Sequence, residues 1–167
     1  MDDRCKYFAC RIVKVQDGDS VIVDIDQGFS DWKHDQQLRL MGIDTNETRR
    51  GGGRTSEDVH HGKMAKAYLG GLLEVGEIYV IQTHKKEKGK YGRWLSTLWS
   101  GRVNVNKLLV RKHLAVEYHG QNKKEVMAEH RKCIRKLKQL GRWERYRVRN
   151  QTNKEWLKEY ETGVVKS

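Results

Sequence analysis

The first third of the chain alternates apolar and polar positions in short runs. Residues 7–15, YFACRIVKV, are rich in β-branched and aromatic side chains and predict a strand. QDGD follows, then VIVDID at 21–26, a second strand. An Asp-Gly between two such runs is a strong hairpin signal, because a positive φ is tolerated there. QLRLMGI at 37–43 predicts a third strand, with Leu38 and Leu40 on one face and Arg39, Met41 and Ile43 on the other. The periodicity lapses over TRRGGGRTSEDVHHG at 48–62, which reads as a flexible loop around a triple glycine. From about Glu57 to Leu73 the spacing turns helical, through Met64, Ala65, Tyr68 and Leu72, although Gly70 and Gly71 weaken the last turn. GEIYVIQT at 76–83 is a fourth strand, HKKEKGKYGR at 84–93 a basic loop, and WLSTLWS at 94–100 a fifth strand. VNKLLVRKHLA at 105–115 predicts a short helix. EVMAEHRKCIRKLKQL at 125–140 predicts a longer one, with an apolar stripe of Val126, Met127, His130, Ile134, Leu137 and Leu140.

The order of elements is β-β-β-α-β-β-α-α. Five short strands are too few for an immunoglobulin-type sandwich. They suit an α+β, mainly β architecture: a five-stranded OB-fold barrel with three helices, one inserted after the third strand. Residues 1–140 form that domain. Residues 141–167 are a basic and aromatic extension in which Trp143, Tyr146, Trp156 and Tyr160 alternate with cations. This extension is either a fourth helix packed on the domain or a separate nucleic-acid contact, since aromatic rings stack on bases.

Composition narrows the partner. The 167 residues suit one domain of ordinary size, and 34% of them are charged. The 34 Lys and Arg against 22 Asp and Glu give a net charge of +12. A surplus of that size favours a polyanion, DNA or RNA, because the cations displace condensed counterions. Cys5, Cys10 and Cys133 form neither a disulfide framework nor a zinc-type spacing. The paired His60 and His61 read as solvated or loop residues rather than ligands. The N-terminus carries no apolar leader and no run reaches membrane-span length. These features predict a soluble monomer with no membrane partner, in a reducing cytoplasmic or intracellular compartment; secretion after removal of a leader stays open.

Four stretches could carry chemistry: DGDS at 17–20, LRLMGIDTNET at 38–48, KYGR at 90–93 and the basic loop before KYGR. DGDS has the bland reading of a turn. Asp19, however, keeps the parity of Val21 and Val23, which points it to the barrel side, and a carboxylate there needs a partner. DTNE fits a helix capping box, with Asp44 as the cap and Glu47 three residues on, but it leads into a glycine loop. KYGR alone is an ordinary turn. Together they meet the needs of phosphodiester hydrolysis. A hard divalent ion on oxygen ligands offsets phosphate charge. A carboxylate takes a proton from water. Arginine forks match the oxygens where charge grows. Asp19, Asp44, Glu47, Arg39 and Arg93 can supply that set if they meet at one barrel end.

The ordered set DGDSV, RLMGIDTNET, KYGR and VNKLLVRKHLA resembles the staphylococcal nuclease (thermonuclease) family over roughly residues 7–140. The resemblance implies an OB-fold barrel with three helices and calcium-dependent cleavage of DNA and RNA at the 5′ P–O bond, leaving 3′-phosphates. It also implies roles. Asp19 and Asp44 are similar to the Ca2+ carboxylates, and Thr45 to the ligand that coordinates through its backbone carbonyl. Glu47 resembles the water-activating base, and Arg39 and Arg93 the phosphate clamps. Lys90 and Tyr91 match positions near the nucleotide phosphate, and Tyr118 matches a base-stacking aromatic. Mn2+ or Mg2+ would also be accepted by oxygen ligands. The chain departs from the family pattern at Ser20, where threonine is usual, at Asn46, where proline is usual, and at His113, where a glycine often follows the helix. Two other classes remain: a non-catalytic nucleic-acid- or protein-binding module on the same barrel, and a basic chromatin- or RNA-packaging protein.

Overall fold

A computed structural model describes residues 5–88 and 92–143, with residues 85–88 described by backbone alone. Five strands close a barrel. β1 (Lys6–Asp17) pairs antiparallel with β2 (Ser20–Gly28) and with β5 (Ile78–Lys88). β3 (Asp31–Leu40) pairs with β2, and β6 (Trp94–Ser100) with β5. Closure is made by one parallel pairing, Leu38–Leu40 of β3 against Trp94–Ser96 of β6. β4 (Ile43–Asp44) pairs with β8 (Val116–Glu117) outside the ring, and β7 (Val103–Asn104) pairs antiparallel with the end of β6. The helices are α1 (Ser56–Leu72), α2 (Val105–Arg111) and α3 (Lys123–Gln139). This is the mainly β, OB-type barrel with three helices that the order of elements predicts, with α1 entering after the third barrel strand. Among the described residues no helix is long and apolar enough to cross a membrane.

Burial explains the strand periodicity. Ile12, Val21, Val23, Leu38, Leu40, Ile81 and Leu98 point inward and are at most 1% exposed. Met64, Ala65, Tyr68 and Leu69 of α1 close one end of this core. Asn106, the second residue of α2, ties three pieces together. Its amide donates to the carbonyls of Met41 and Ser96, and its oxygen accepts from the Leu98 amide.

Several boundaries differ from the sequence reading, each for a physical reason. β3 begins at Asp31, because Phe29 and Ser30 turn the chain with φ of 53° and 62° and set Gly28 opposite Asp31. Apart from Trp32, residues 31–36 are polar and mostly exposed, so they carry no apolar alternation to reveal a strand. At the other end Gly42, with φ of 77°, ends β3, and Ile43–Asp44 becomes β4. β5 continues to Lys88, taking in residues expected to be loop, and Lys88 pairs with Trp94 after a register shift. The capping box belongs to Thr55 and Asp58 at the start of α1, not to Asp44 and Glu47. α2 stops at Arg111, and α3 begins at Lys123 behind an Asn122–Glu125 capping box. Leu140, assigned to the apolar stripe of α3, is 43% exposed, whereas Trp143 is buried in the core against His60, with ring centroids 4.7 Å apart. Tyr146, Trp156 and Tyr160 lie outside the described residues. His60 and His61 are neither solvated nor in a loop: both sit in α1, and His61 is fully buried.

The β1–β2 turn also has a different cause from the one expected. Asp17 pairs with Ser20, so Gly18 and Asp19 are the turn residues, and Gly18 is not in the left-handed region. Glycine is required there for space. A Cβ at position 18 would stand 2.6 Å from the Ala65 Cβ and 3.0 Å from the Thr45 Oγ1. Gly18→Ala is therefore expected to lower unfolding free energy by about 1–3 kcal/mol, as overpacking does. Urea denaturation checks this, and an unchanged midpoint would contradict the contact.

Candidate active site

Asp19 closes the β1–β2 turn with its side chain directed inward, 3% exposed. The parity argument therefore holds, and the partner it demands is Arg39 from β3, whose Nη1 pairs with Asp19 Oδ2. The register makes the meeting unavoidable, since Ser20 stands opposite Arg39 and the Leu40 amide donates to the Asp19 carbonyl at 2.8 Å. The same guanidinium donates through Nη2 to Asp44 Oδ1 at 2.9 Å. The Thr45 amide donates to Asp19 Oδ2 at 3.0 Å. Four of the expected site residues, Asp19, Arg39, Asp44 and Thr45, thus form one connected cluster at the end of β3.

The two carboxylates sit in different fields. Burial pushes Asp19 above the usual carboxylate range, and the Arg39 charge and the Thr45 amide offset this only in part. Burial acts on Asp44 in the same direction, but the His130 hydrogen bond and the Arg39 charge outweigh it and hold that carboxyl below the usual range. His130, in α3, donates from Nε2 to Asp44 Oδ2 at 2.9 Å. Arg39 stays charged because Asp19 and Asp44 more than compensate for its own burial.

The cluster opens into a cleft of about 520 Å³ that also receives Glu47, Arg54, Arg93, Tyr118 and Lys123. Glu47 is exposed, with Arg54 Nη2 3.9 Å from its Oε1. Tyr118 is 40% exposed at the rim, its amide bonded to the Gly42 carbonyl. Arg93 reaches the cleft from the segment between β5 and β6. Lys90 and Tyr91, also expected here, lie outside the described residues. Arg49 and Arg50 do not line the cleft; Arg50 Nη2 donates to Ser56 Oγ at the start of α1.

Among the described residues no group of three or more His, Cys, Asp and Glu side chains is arranged to hold a metal ion. Two carboxylates and a neighbouring backbone carbonyl would not make such a group, yet they fit a hard divalent cation. The donors are all oxygen, which suits calcium and not zinc. Asp19 and Asp44 both pair with the Arg39 guanidinium, so a bound cation would have to take its place between them.

Sequence reasoning missed three members. His130 was placed on the apolar stripe of α3, and a titratable residue on a buried stripe was the available sign. His61 donates from Nε2 to the His113 carbonyl at 2.8 Å and accepts at Nδ1 from Asn46 Nδ2 at 3.0 Å. Gly62 lets the turn rest on α1: a Cβ there would lie 2.3 Å from the Asn46 oxygen and 2.5 Å from that of Glu47.

The family model described as Staphylococcal nuclease homologue matches residues 37–148. A Thermonuclease of Staphylococcus hyicus is 30% identical over 131 residues, covering 77% of this chain and 72% of that protein. A Thermonuclease of Staphylococcus intermedius is 29% identical over 136 residues, 80% and 75% of the two chains. With a barrel of the expected topology and a family match across most of its length, the chain belongs to the staphylococcal nuclease homologues, a nuclease family acting on nucleic acid.

Proposed function

We propose that the protein is a calcium-dependent nuclease that hydrolyses phosphodiester bonds of DNA, RNA or both and leaves 3′-phosphates. The observation that carries this is the convergence of Asp19, Arg39, Asp44 and Thr45 at one end of the barrel, facing a cationic cleft that holds Glu47 and Arg93. Asp19, Asp44 and the Thr45 carbonyl would hold the ion. Bound there, it would offset the charge of the scissile phosphate.

The remaining work falls to this chain's own groups. Glu47, on the solvent side of the cleft, accepts a proton from the water whose oxygen attacks phosphorus. The P–O5′ bond breaks, its electron pair goes to the leaving 5′ oxygen, and the 3′ side keeps the phosphate. Arg93, and Arg39 once a bound ion takes over Asp19 and Asp44, would present N–H donors to phosphate oxygens, which gain charge in the transition state. Tyr118 offers a ring at the rim for a base to stack on. Lys90 and Tyr91 are assigned to the phosphate on motif alone.

The purified protein is expected to degrade denatured DNA and RNA in calcium and to stop in excess chelator. Absence of cleavage on both substrates, together with no heat of calcium binding, would overturn this reading in favour of a non-catalytic binding module.

A further inference from the structure

Glu47 is poorly placed by its own side chain. It is exposed, and its nearest ion-pair partner stands 3.9 Å away. Its position must therefore come from the backbone of the 44–48 turn. Two contacts hold that turn toward its ends, the Thr45 amide on Asp19 at 3.0 Å and the Thr48 hydroxyl on Asp17 at 3.3 Å, and the Asn46 and Glu47 carbonyls rest on α1 at Gly62. Between them stands Asn46, adjacent to Glu47, with a side chain that is 8% exposed and turned inward.

We propose that His61 is a positioning residue for Glu47, bracing the 44–48 turn by clamping the Asn46 amide to the His113 carbonyl. This rests on the nuclease reading of the same cleft. The hydrogen-bond roles follow from chemistry. A carbonyl only accepts, so His61 Nε2 carries the proton toward His113. Nδ1 is then a lone pair, and the Asn46 group facing it at 3.0 Å is the donating NH₂. The bond at Nδ1 requires the neutral imidazole, and burial pushes His61 down to about 4, so the neutral form prevails over the ordinary working range.

The far end of the brace is built for its task. His113 has φ of 59°, a left-handed conformation that costs a non-glycine residue about 1 kcal/mol. Its carbonyl leaves the end of α2 toward α1 and meets the imidazole. The two ends of the brace are also two of the positions at which the sequence departs from the pattern it resembles. Proline at 46 would stiffen the turn by fixing φ; asparagine cannot, and the hydrogen bond to His61 supplies the restraint instead. Gly62 is the condition for it, since a side chain at the neighbouring position would push the Asn46 and Glu47 carbonyls off the helix.

The test measures kcat, KM, calcium affinity and thermal midpoint for the wild type, Asn46→Ala, His61→Ala, the double alanine variant and Asn46→Pro/His61→Ala. Amide exchange at residues 45–48 is followed alongside. Each single alanine variant is expected to lose about 10- to 100-fold in kcat, the scale of a misplacement of about 1 Å. KM and calcium affinity should stay within about threefold, and the double variant should be no worse than the poorer single one, as for two residues acting as one unit. Proline at 46 is expected to recover most of the kcat lost in His61→Ala without recovering its thermal midpoint. Unchanged kcat in Asn46→Ala, or no recovery with proline, would overturn the proposal. Should His61→Ala not fold, Asn46→Ala decides alone. Should the wild type cut nothing, the nuclease reading fails, and exchange decides the brace: faster exchange at 45–48 in Asn46→Ala supports it, and unchanged exchange overturns it.

Discussion

Glutamine in place of Glu47 is expected to lower the cleavage rate by about 10²- to 10⁴-fold, the usual loss when a general base is removed. The substitution keeps the shape and removes only the basic oxygen. Because Glu47 is exposed and meets Arg54 only at 3.9 Å, stability should change by no more than about 0.5 kcal/mol. Binding should also persist, since Arg39, Arg93 and Lys123 still line the cleft. Steady-state cleavage of denatured DNA, an equilibrium binding titration and a melting curve separate the three quantities. Normal turnover by the variant would remove Glu47 from its assigned role and shift attention to another proton acceptor.

Acid is expected to weaken the fold through His61. Its folded value of about 4 lies below the ordinary 6.5, so the unfolded chain takes up the proton first. The contribution is complete above pH 6.5 and is lost progressively as pH falls toward 4. The full difference corresponds to about 3 kcal/mol, since one pKa unit is about 1.4 kcal/mol. His61 is fully buried, so solvent does not dilute the effect. Its charged or titratable neighbours, His60 and Asp58 on α1 and His130 on α3, move the curve without reversing its sign. Urea denaturation at pH 7, 5.5 and 4.5, on wild type and His61→Gln, reads the contribution as the difference in slope. Parallel curves for the two proteins would show that the imidazole is not the group responsible.

Much of this was legible in the sequence because the barrel is written in a period of two. Val21, Val23, Leu38 and Leu40 alternate visibly, and the same alternation placed Asp19 on the inner side, where it is found. The need for a partner follows from that placement, but not its identity: the parity of β3 sets Arg39 on the face opposite Leu38 and Leu40, and only the register with Ser20 brings it to Asp19. Residues 31–36 carry no apolar alternation, since apart from Trp32 both faces are polar and their side-chain contacts are ionic, hydrogen-bonded or cation–π. The role of Gly18 was misread for a related reason. Its neighbour in space, Ala65, comes from a helix 47 residues along the chain, and no local pattern reports that approach. The His61–His113 bond spans 52 residues and depends on a left-handed histidine, which neither composition nor spacing encodes. His130 was seen as part of a stripe but not as a group aimed at Asp44, because periodicity gives a face and not what that face meets.

The parallel pairing of β3 with β6 has a consequence for how the protein comes into being. It closes the barrel by joining residues 38–40 to 94–96; Arg39 lies within this seam and Arg93 immediately precedes it. On a growing chain Asp19, Arg39 and Asp44 are all made well before Arg93, and pairings this far apart in sequence form slowly. A nascent chain that ends before Trp94 cannot close the seam. Nuclease competence would then arrive late in synthesis as a report that the barrel has closed, and a ribosome-bound fragment would carry the acidic cluster without the second clamp.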